Sequence, residues 1–366
     1  MLYVATAGFT PNWIRSVKQD FVGSLAIPRP FVPTSPKWQH SLRTAIRSEA
    51  ELREFVGLPP HADGAGSGDF PVMVTREFAA RMQHGDARDP LLRQVLPDAR
   101  EQDDVTGFDS DPVGEDAARI APGLLHKYHG RALVIATGAC GIHCRYCFRR
   151  EYPYIETSDR SQKYDRSIAA IAADDSIDEV ILSGGDPLTL TDDALSMLVS
   201  KIETIAHVRR LRLHTRMPIV LPSRVTDSLV DRLRRSRLAV WWVVHTNHPK
   251  ELDESTLSSL GRLVDGGFPV LNQSVLLHSI NDDADTLAAL NRRLMDARVM
   301  PYYLHQLDRV RGAAHFEVPE SRGHELIAQL RERLPGYGVP RYVREIAGEP
   351  SKTLLVDRSM PAETSP

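Results

Sequence analysis

Cys140-Gly-Ile-His-Cys144-Arg-Tyr-Cys147 holds all three cysteines of the 366-residue chain. The spacing is C-x3-C-x2-C. Cysteines used nowhere else and gathered within eight residues are placed for chemistry, and an odd, clustered set is not a disulfide framework. Three thiolates on one short loop can hold three irons of a [4Fe–4S] cluster and leave the fourth iron open to a ligand from outside the protein. The competing readings are a structural zinc site, Cys3His with His143, and unliganded core cysteines. Structural zinc usually draws four ligands from two separated pairs, and no second pair exists here. His143 abuts Cys144 and would point away from a shared metal.

On either side of this loop, from Arg131 onward, short apolar runs alternate with longer amphipathic segments. That is the pattern of βα units building a parallel sheet. Strands are predicted at Ala132–Thr137, Glu179–Ser183, Arg210–Thr215, Ala239–His245, Pro269–Leu276 and Pro301–Gln306. Six such units predict an incomplete α/β barrel, a partial (β/α)6 form. The expected organisation is an N-terminal helical region over 1–115, the barrel over 116–310 and a C-terminal extension over 311–366. The first run leads into Cys140. The others end in or carry Ser183-Gly-Gly-Asp186, His214-Thr-Arg216, His245-Thr-Asn-His248, Asn272-Gln-Ser274 and His305-Gln-Leu-Asp308. Active sites of parallel α/β barrels lie at the carboxyl ends of their strands, so these ends are expected to share one mouth.

The flanks read more simply. Pro28, Pro30, Pro33 and Pro36 make Ile27–Pro36 extended or looped. Apolar spacing predicts a helix over His40–Val56, and His61–Asp69 reads as a flexible link. A further helix is expected near Thr75–Met82, and acidic Asp98–Asp116 is expected to be a surface loop. Residues 1–115 are thus expected to carry no chemistry of their own. After the barrel come a helix near Glu320–Leu334 and a short strand over Arg341–Ile346.

With 42% hydrophobic and 25% charged residues the composition is that of a soluble globular protein. The net charge of −3 gives no electrostatic case for nucleic acid. No apolar run approaches a membrane span. The first residues lack a basic n-region and are not expected to be a signal peptide. Clustered unpaired cysteines fit a reducing compartment, the cytoplasm.

Two further features carry chemistry. The glycines of Ser183-Gly-Gly-Asp-Pro187 either let backbone approach a ligand closely or make a tight βα turn. Lys352 is one of 7 lysines against 38 arginines and the only lysine after Lys250. An amine can deprotonate and serve as a Schiff-base nucleophile where guanidinium cannot, although an exposed surface lysine is the alternative reading.

The cysteine loop, with Tyr146 as its aromatic residue, resembles that of the radical S-adenosylmethionine (SAM) enzymes. From about Phe70 to Thr353 the chain resembles one family of them, the lysine 2,3-aminomutases, which also bind pyridoxal phosphate (PLP). The resemblance is carried by Pro122-Gly-Leu-Leu-His-Lys-Tyr-His-Gly-Arg131, the cysteine loop with Phe148-Arg-Arg150, and Ser183-Gly-Gly-Asp186. It continues in Arg216-Met-Pro-Ile-Val-Leu-Pro222, His245-Thr-Asn-His-Pro249, Gln273-Ser-Val-Leu-Leu277, Tyr302–Asp308 and Ser351-Lys-Thr353.

It implies a TIM-like partial barrel of radical SAM type that moves the α-amino group of lysine to C3 and draws on an electron donor. It implies a [4Fe–4S] cluster on Cys140, Cys144 and Cys147. It implies SAM beside Tyr146, Gln273 and Ser183, Gly184, Gly185 and Asp186, the last four receiving its amino group. Lys352 is implied as the covalent PLP lysine, with Tyr128, Arg131 and Arg216 around the ring and phosphate, as suits arginine's bidentate fork. Arg149 is implied to receive the substrate carboxylate, and Asp308 and Glu345 the ε-ammonium.

Lys127 stands where the family often has arginine, and Glu345 where it commonly has aspartate. The extra zinc-binding cysteines of clostridial-type members are missing. The short form, the Pro122–His129 segment and Gly348-Glu-Pro-Ser-Lys352 are similar to the bacterial subgroup that makes (R)-β-lysine for elongation factor P, to which a partner ligase attaches it. The alternatives are an aminomutase for another amino acid, such as arginine or ornithine, and a non-catalytic scaffold whose cysteines hold zinc or a structural cluster.

Overall fold

Alternation of side chains across each strand decides what this fold can hold. The computed structural model describes residues 37–60, 70–154 and 164–356. The expected extended segment Ile27–Pro36 and the link His61–Asp69 lie outside the described residues. Ten strands form one sheet whose order in space is their order in sequence. They are β1 (Arg119–Ala121), β2 (Leu124–Tyr128), β3 (Arg131–Thr137), β4 (Glu179–Gly184), β5 (Arg210–Thr215), β6 (Ala239–His245), β7 (Val270–Val275), β8 (Met300–His305), β9 (Arg341–Arg344) and β10 (Thr353–Leu354). From β3 to β9 all neighbours are parallel. The flanking pairs β1–β2, β2–β3 and β9–β10 are antiparallel. With β1 and β10 as its edges, the sheet is a barrel left open on one side.

All six strands expected from the sequence are present as β3 to β8. The seventh parallel strand, β9, is the expected short strand near Arg341. It adds to β8 and so brings the C-terminal segment into the sheet. The β1–β2 hairpin was not expected. It turns at Pro122-Gly123, with Gly123 at a φ of 71°, and β2 turns into β3 at His129-Gly130, with Gly130 at 77°. Strands of three and five residues are too short to show a period.

Across the parallel strands, Val134, Leu182, Leu213 and Trp242 stand side by side and are fully buried in the main core. The amphipathic crossover helices cover this outer face. Those over Asp192–Glu203, Asp227–Arg234, Glu254–Asp265 and Ala284–Asp296 are each started by an oxygen of Thr191, Thr226, Asp253 or Asp283 that accepts a first-turn N–H. The adjacent register, Leu133, Ile181, Arg212 and Trp241, faces the lumen. Closed α/β barrels fill this space with layers of side chains. Here the lumen holds a cavity of about 1590 Å³ that runs from the amino ends of the strands to the cysteine loop.

The N-terminal layer departs from expectation. His40–Val56 is two helices, Lys37–Arg43 and Glu49–Phe55, because Ile46 pairs with Val74 through two backbone hydrogen bonds of 2.8 and 3.0 Å and Ser48 caps the second helix. Helix near Thr75–Met82 shrinks to Arg76–Ala79, capped by Thr75. Val74 also bridges Ile142, and His143 N–H donates to the Met73 carbonyl, so the layer reaches the cysteine loop. The acidic stretch Asp98–Asp116 is not all surface. Glu101 and Glu115 turn inward and are buried, because each meets a buried arginine of that loop.

Candidate active site

β3 delivers the cysteine loop at its carboxyl end, and β4 presses its glycines against the loop's base. A Cβ on Gly184 would lie 2.5 Å from the Thr137 carbonyl oxygen, and one on Gly185 2.3 Å from that of Ala139. Gly184 also takes a φ of 118°. Gly185 and Asp186 N–H donate to Thr137 and Ala139 oxygens at 2.7 Å. The glycines' close approach is therefore first to the chain's own loop. Asp186 is committed as a brace. Its oxygens accept from Thr215 Oγ1 and from the N–H groups of Leu188, Arg216 and Met217, while burial pushes its carboxyl up to about 6 against those bonds.

The three thiols share one low-dielectric pocket at the cavity wall. Burial, and next the neighbouring cysteines, push Cys140 well up and Cys147 to about 11. Cys140 and Cys147, held protonated in this way, need a cationic partner to ionise, which an iron cluster supplies. Among the described residues no three His, Cys, Asp or Glu side chains form the shell of a single metal ion. His143 does not complete a zinc site: its Nδ1 lies 2.9 Å from the Pro71 carbonyl oxygen and its ring stacks on Phe70. Three thiols outside any disulfide, all lining one cavity, fit a cluster.

Four arginines surround the loop, each held by an acid far away in sequence. Glu101 takes Arg145 and Arg150. Glu115 takes Arg149 in a two-point pair at 2.7 and 2.5 Å, and Arg149 Nη1 donates to Ser183 Oγ at 2.9 Å and to the Gly184 carbonyl. Glu251 and Gln94 take Arg216 Nη2 at 2.9 and 2.7 Å. Arg216 Nη1 donates to Cys144 Sγ at 2.7 Å and to the Tyr146 hydroxyl at 2.8 Å. Its Nε–H is buried with no partner among the described residues.

Arg216, expected near PLP, has its guanidinium against the cysteine loop. It starts from the carboxyl end of β5, and Gln94 and Glu251 hold its guanidinium there. Tyr146 is buried, stacked near His245, with its hydroxyl 2.9 Å from His245 Nε2 and accepting from Asn247 Nδ2. Burial keeps His245 neutral, down to about 3.

The far wall is built by β2, β8 and the β9–β10 hairpin. Glu345 follows β9 and Lys352 precedes β10, so the hairpin sets them against each other. Glu345 bonds both Lys352 and Lys127, and Lys127 Nζ also donates to the Val113 carbonyl at 2.6 Å. Burial would raise the Glu345 carboxyl, but the two ammoniums outweigh it and hold it well below the usual range. Glu345, expected to receive the substrate ammonium, is paired here by the chain's own Lys352 and Lys127. Asp308, three residues beyond β8, has no side-chain hydrogen bond among the described residues. Burial, then Glu345, push its carboxyl up to about 7.

Near these groups the Tyr128 hydroxyl is buried, facing Glu345 without completing a hydrogen bond to it. Arg131 lies over the Tyr128 ring at 4.5 Å. His214 Nε2 is also buried and unpartnered among the described residues, and burial keeps His214 and His305 neutral, the latter down to about 3. A guanidinium with no acid partner among the described residues, an unsatisfied phenol and an unsatisfied imidazole beside a lysine fit a phosphorylated aromatic ligand bound through that lysine.

All sixteen residues expected at the site line the one cavity: Tyr128, Arg131, Cys140, Cys144, Tyr146, Cys147, Arg149, Ser183, Gly184, Gly185, Asp186, Arg216, Gln273, Asp308, Glu345 and Lys352. A single small-molecule site is usually 300–1,000 Å³, so about 1590 Å³ leaves room for more than one ligand. The sequence reading missed Gln94, Glu101, Glu115 and Glu251. Nothing local marks them, since each meets its arginine 34 to 122 residues away.

Comparison with known proteins accords with this site. The pattern of the radical SAM superfamily matches residues 134–290, from β3 into the helix before β8. The chain is 43% identical over 327 residues to the L-lysine 2,3-aminomutase of Escherichia coli (strain K12), covering 88% of this chain and 95% of that protein. It is 39% identical over 331 residues to that of Haemophilus influenzae, covering 90% and 98%. It is 33% identical over 320 residues to that of Clostridium subterminale, covering 86% and 77%. A cysteine loop at the first parallel strand, a lysine on the last hairpin and near full-length likeness to these enzymes agree: the chain belongs to the L-lysine 2,3-aminomutase family of the radical SAM superfamily.

Proposed function

We propose that the protein is an L-lysine 2,3-aminomutase, moving the amino group of L-lysine from C2 to C3 to give β-lysine. The observation that carries this reading is one lumen joining the three cysteines to Lys352 and to the unpaired acid Asp308. Cys140, Cys144 and Cys147 would hold a [4Fe–4S] cluster. Tyr146, Gln273 and the Ser183–Asp186 turn line the part of the lumen next to it, where SAM would lie. Lys352, with Tyr128 and Arg131 beside it, would hold PLP. When bound, these groups supply a carbon radical and a conjugated system that stabilises radical character while nitrogen migrates.

The chain's own residues bind and orient. Glu115 fixes Arg149, whose remaining N–H faces the substrate carboxylate. Asp308 receives the distal ammonium, giving up the proton that burial has kept on it. Lys127 stays on Glu345 when Lys352 leaves it, so that acid is never left bare. The enclosing lumen keeps water from a reactive radical.

For place in the cell, we infer the cytoplasm, since the three cysteines need to stay reduced. Among the described residues no helix is long and apolar enough to cross a membrane. We assign the product to the modification of elongation factor P through its lysyl ligase; the short form and the Pro122–His129 and Gly348–Lys352 segments support this. A separate electron donor is needed.

The test is twofold. Anaerobically reconstituted protein given SAM, dithionite and labelled lysine should form β-lysine; turnover of another amino acid with none of lysine would overturn the assignment. Borohydride should fix PLP to the wild type and not to Lys352→Ala, and equal trapping by both would remove Lys352 from its role.

A further inference from the structure

Arg149 and Arg216 both approach the cysteine loop, but their charges are spent differently. The Arg149 guanidinium is met at two points by the Glu115 carboxylate, and it also donates to Ser183 Oγ and the Gly184 carbonyl. Arg216 is split by its geometry. Nη2 faces Gln94 and Glu251, while Nη1 faces the loop and donates to Cys144 Sγ at 2.7 Å. Glu251 is in turn locked by the N–H groups of Asn247 and His248 and by Gln94 Nε2, at 3.0 to 3.1 Å. Phe78 and Tyr146 lie against the guanidinium, which is 6% exposed at the residue level. The arginine therefore cannot swing away, and among the described residues it touches one cysteine sulfur of the three.

We propose that Arg216 is a positioning residue that sets the reduction potential of the cluster through Cys144. This rests on the iron–sulfur reading above. One-electron reduction adds negative charge to the cluster and its thiolate ligands. A buried cationic donor on one of those sulfurs stabilises the reduced form more than the oxidised form, and hydrogen bonds to ligand sulfur are a recognised control of potential. The Glu251–Gln94 brace keeps that donor in place at low dielectric, where its influence is largest.

The experiment compares wild type, Arg216→Gln, Arg216→Lys and Tyr146→Phe as full-length protein, reconstituted anaerobically with iron and sulfide. Iron and sulfide content and a redox titration followed by electron paramagnetic resonance are read without substrate. At the potential where wild type is half reduced, Arg216→Gln should show about a tenfold lower ratio of reduced to oxidised cluster, a shift of about 59 mV for a one-electron couple. Arg216→Lys keeps the charge but loses the fork and should fall between. Tyr146→Phe keeps the donor and should stay within twofold of wild type.

A ratio for Arg216→Gln within twofold of wild type overturns the proposal. So does an equal drop in Tyr146→Phe, which would make packing the cause. Loss of the cluster from both arginine variants also overturns it, since Arg216 would then build the loop and not tune it. A wild type that holds no cluster fails the iron–sulfur reading itself and takes this proposal with it.

Discussion

Asp308 is an acid whose surroundings in the fold oppose its charge, and replacing it with asparagine tests the electrostatics of the site. Its carboxyl is raised from 3.8 to about 7, by burial first and then by Glu345. The unfolded chain therefore holds fewer protons at this group than the native protein between those values, so stability falls as pH rises through that window. At 1.36 kcal/mol per unit, Asp308 costs the fold about 4 kcal/mol above pH 8, where it is ionised, and about 2 kcal/mol at pH 5.5, where the native protein holds a proton that the unfolded chain has released. Asparagine is nearly the same shape and carries no charge. Asp308→Asn should therefore stabilise the cofactor-free protein, and by about 2 kcal/mol more at pH 8.5 than at pH 5.5. Urea midpoints of both proteins at the two pH values measure this; urea leaves the charges unscreened. An equal gain at both values, or a loss at pH 8.5, would refute the assignment of Asp308 as a strained, unpaired acid.

Glu115→Gln should destabilise by about 3–5 kcal/mol in the same urea assay, because it strands the buried Arg149 guanidinium; a change under 1 kcal/mol would mean that Ser183 and Gly184 suffice. Gly185→Ala places a carbon 2.3 Å from the Ala139 oxygen. It should cost about 1–3 kcal/mol and lower iron retention after reconstitution, read by iron analysis; wild-type iron content would show that the loop base can yield. Lysine binding to PLP-loaded protein, measured calorimetrically without SAM or reductant, should weaken close to tenfold from pH 6.5 to 5.5 as Asp308 regains its proton; a flat profile would remove Asp308 from ammonium binding.

Much of this site was legible in the sequence because its parts sit at the ends of periodic segments. β3 to β8 announce themselves by apolar runs between amphipathic stretches, and the residues after those runs then have to converge. β1 and β2 are shorter than a period needs and become strands only because a neighbour offers a ladder. The counter-ions were hidden for another reason. Glu101 and Glu115 lie among acids that look solvated, and only the fold brings them to Arg145 and Arg149. Arg216 shows a third limit. The sequence places the residue at a strand end, but Gln94 and Glu251, contributed by other segments, decide which way its guanidinium points.

The order of the two walls along the chain has a consequence for biosynthesis. Cys147 and Lys352 are 205 residues apart, with six of the parallel strands made between them. At about 5–20 residues per second, the thiols leave the ribosome roughly 10–40 s before the amine. The cysteine loop and its arginine clamps from the first half of the chain can thus meet iron while the last hairpin is still unmade. A chain that stops short of β9 would keep the loop but lack Glu345 and Lys352, so a truncated product would present the cysteine wall of the lumen without the charged pair of the opposite wall.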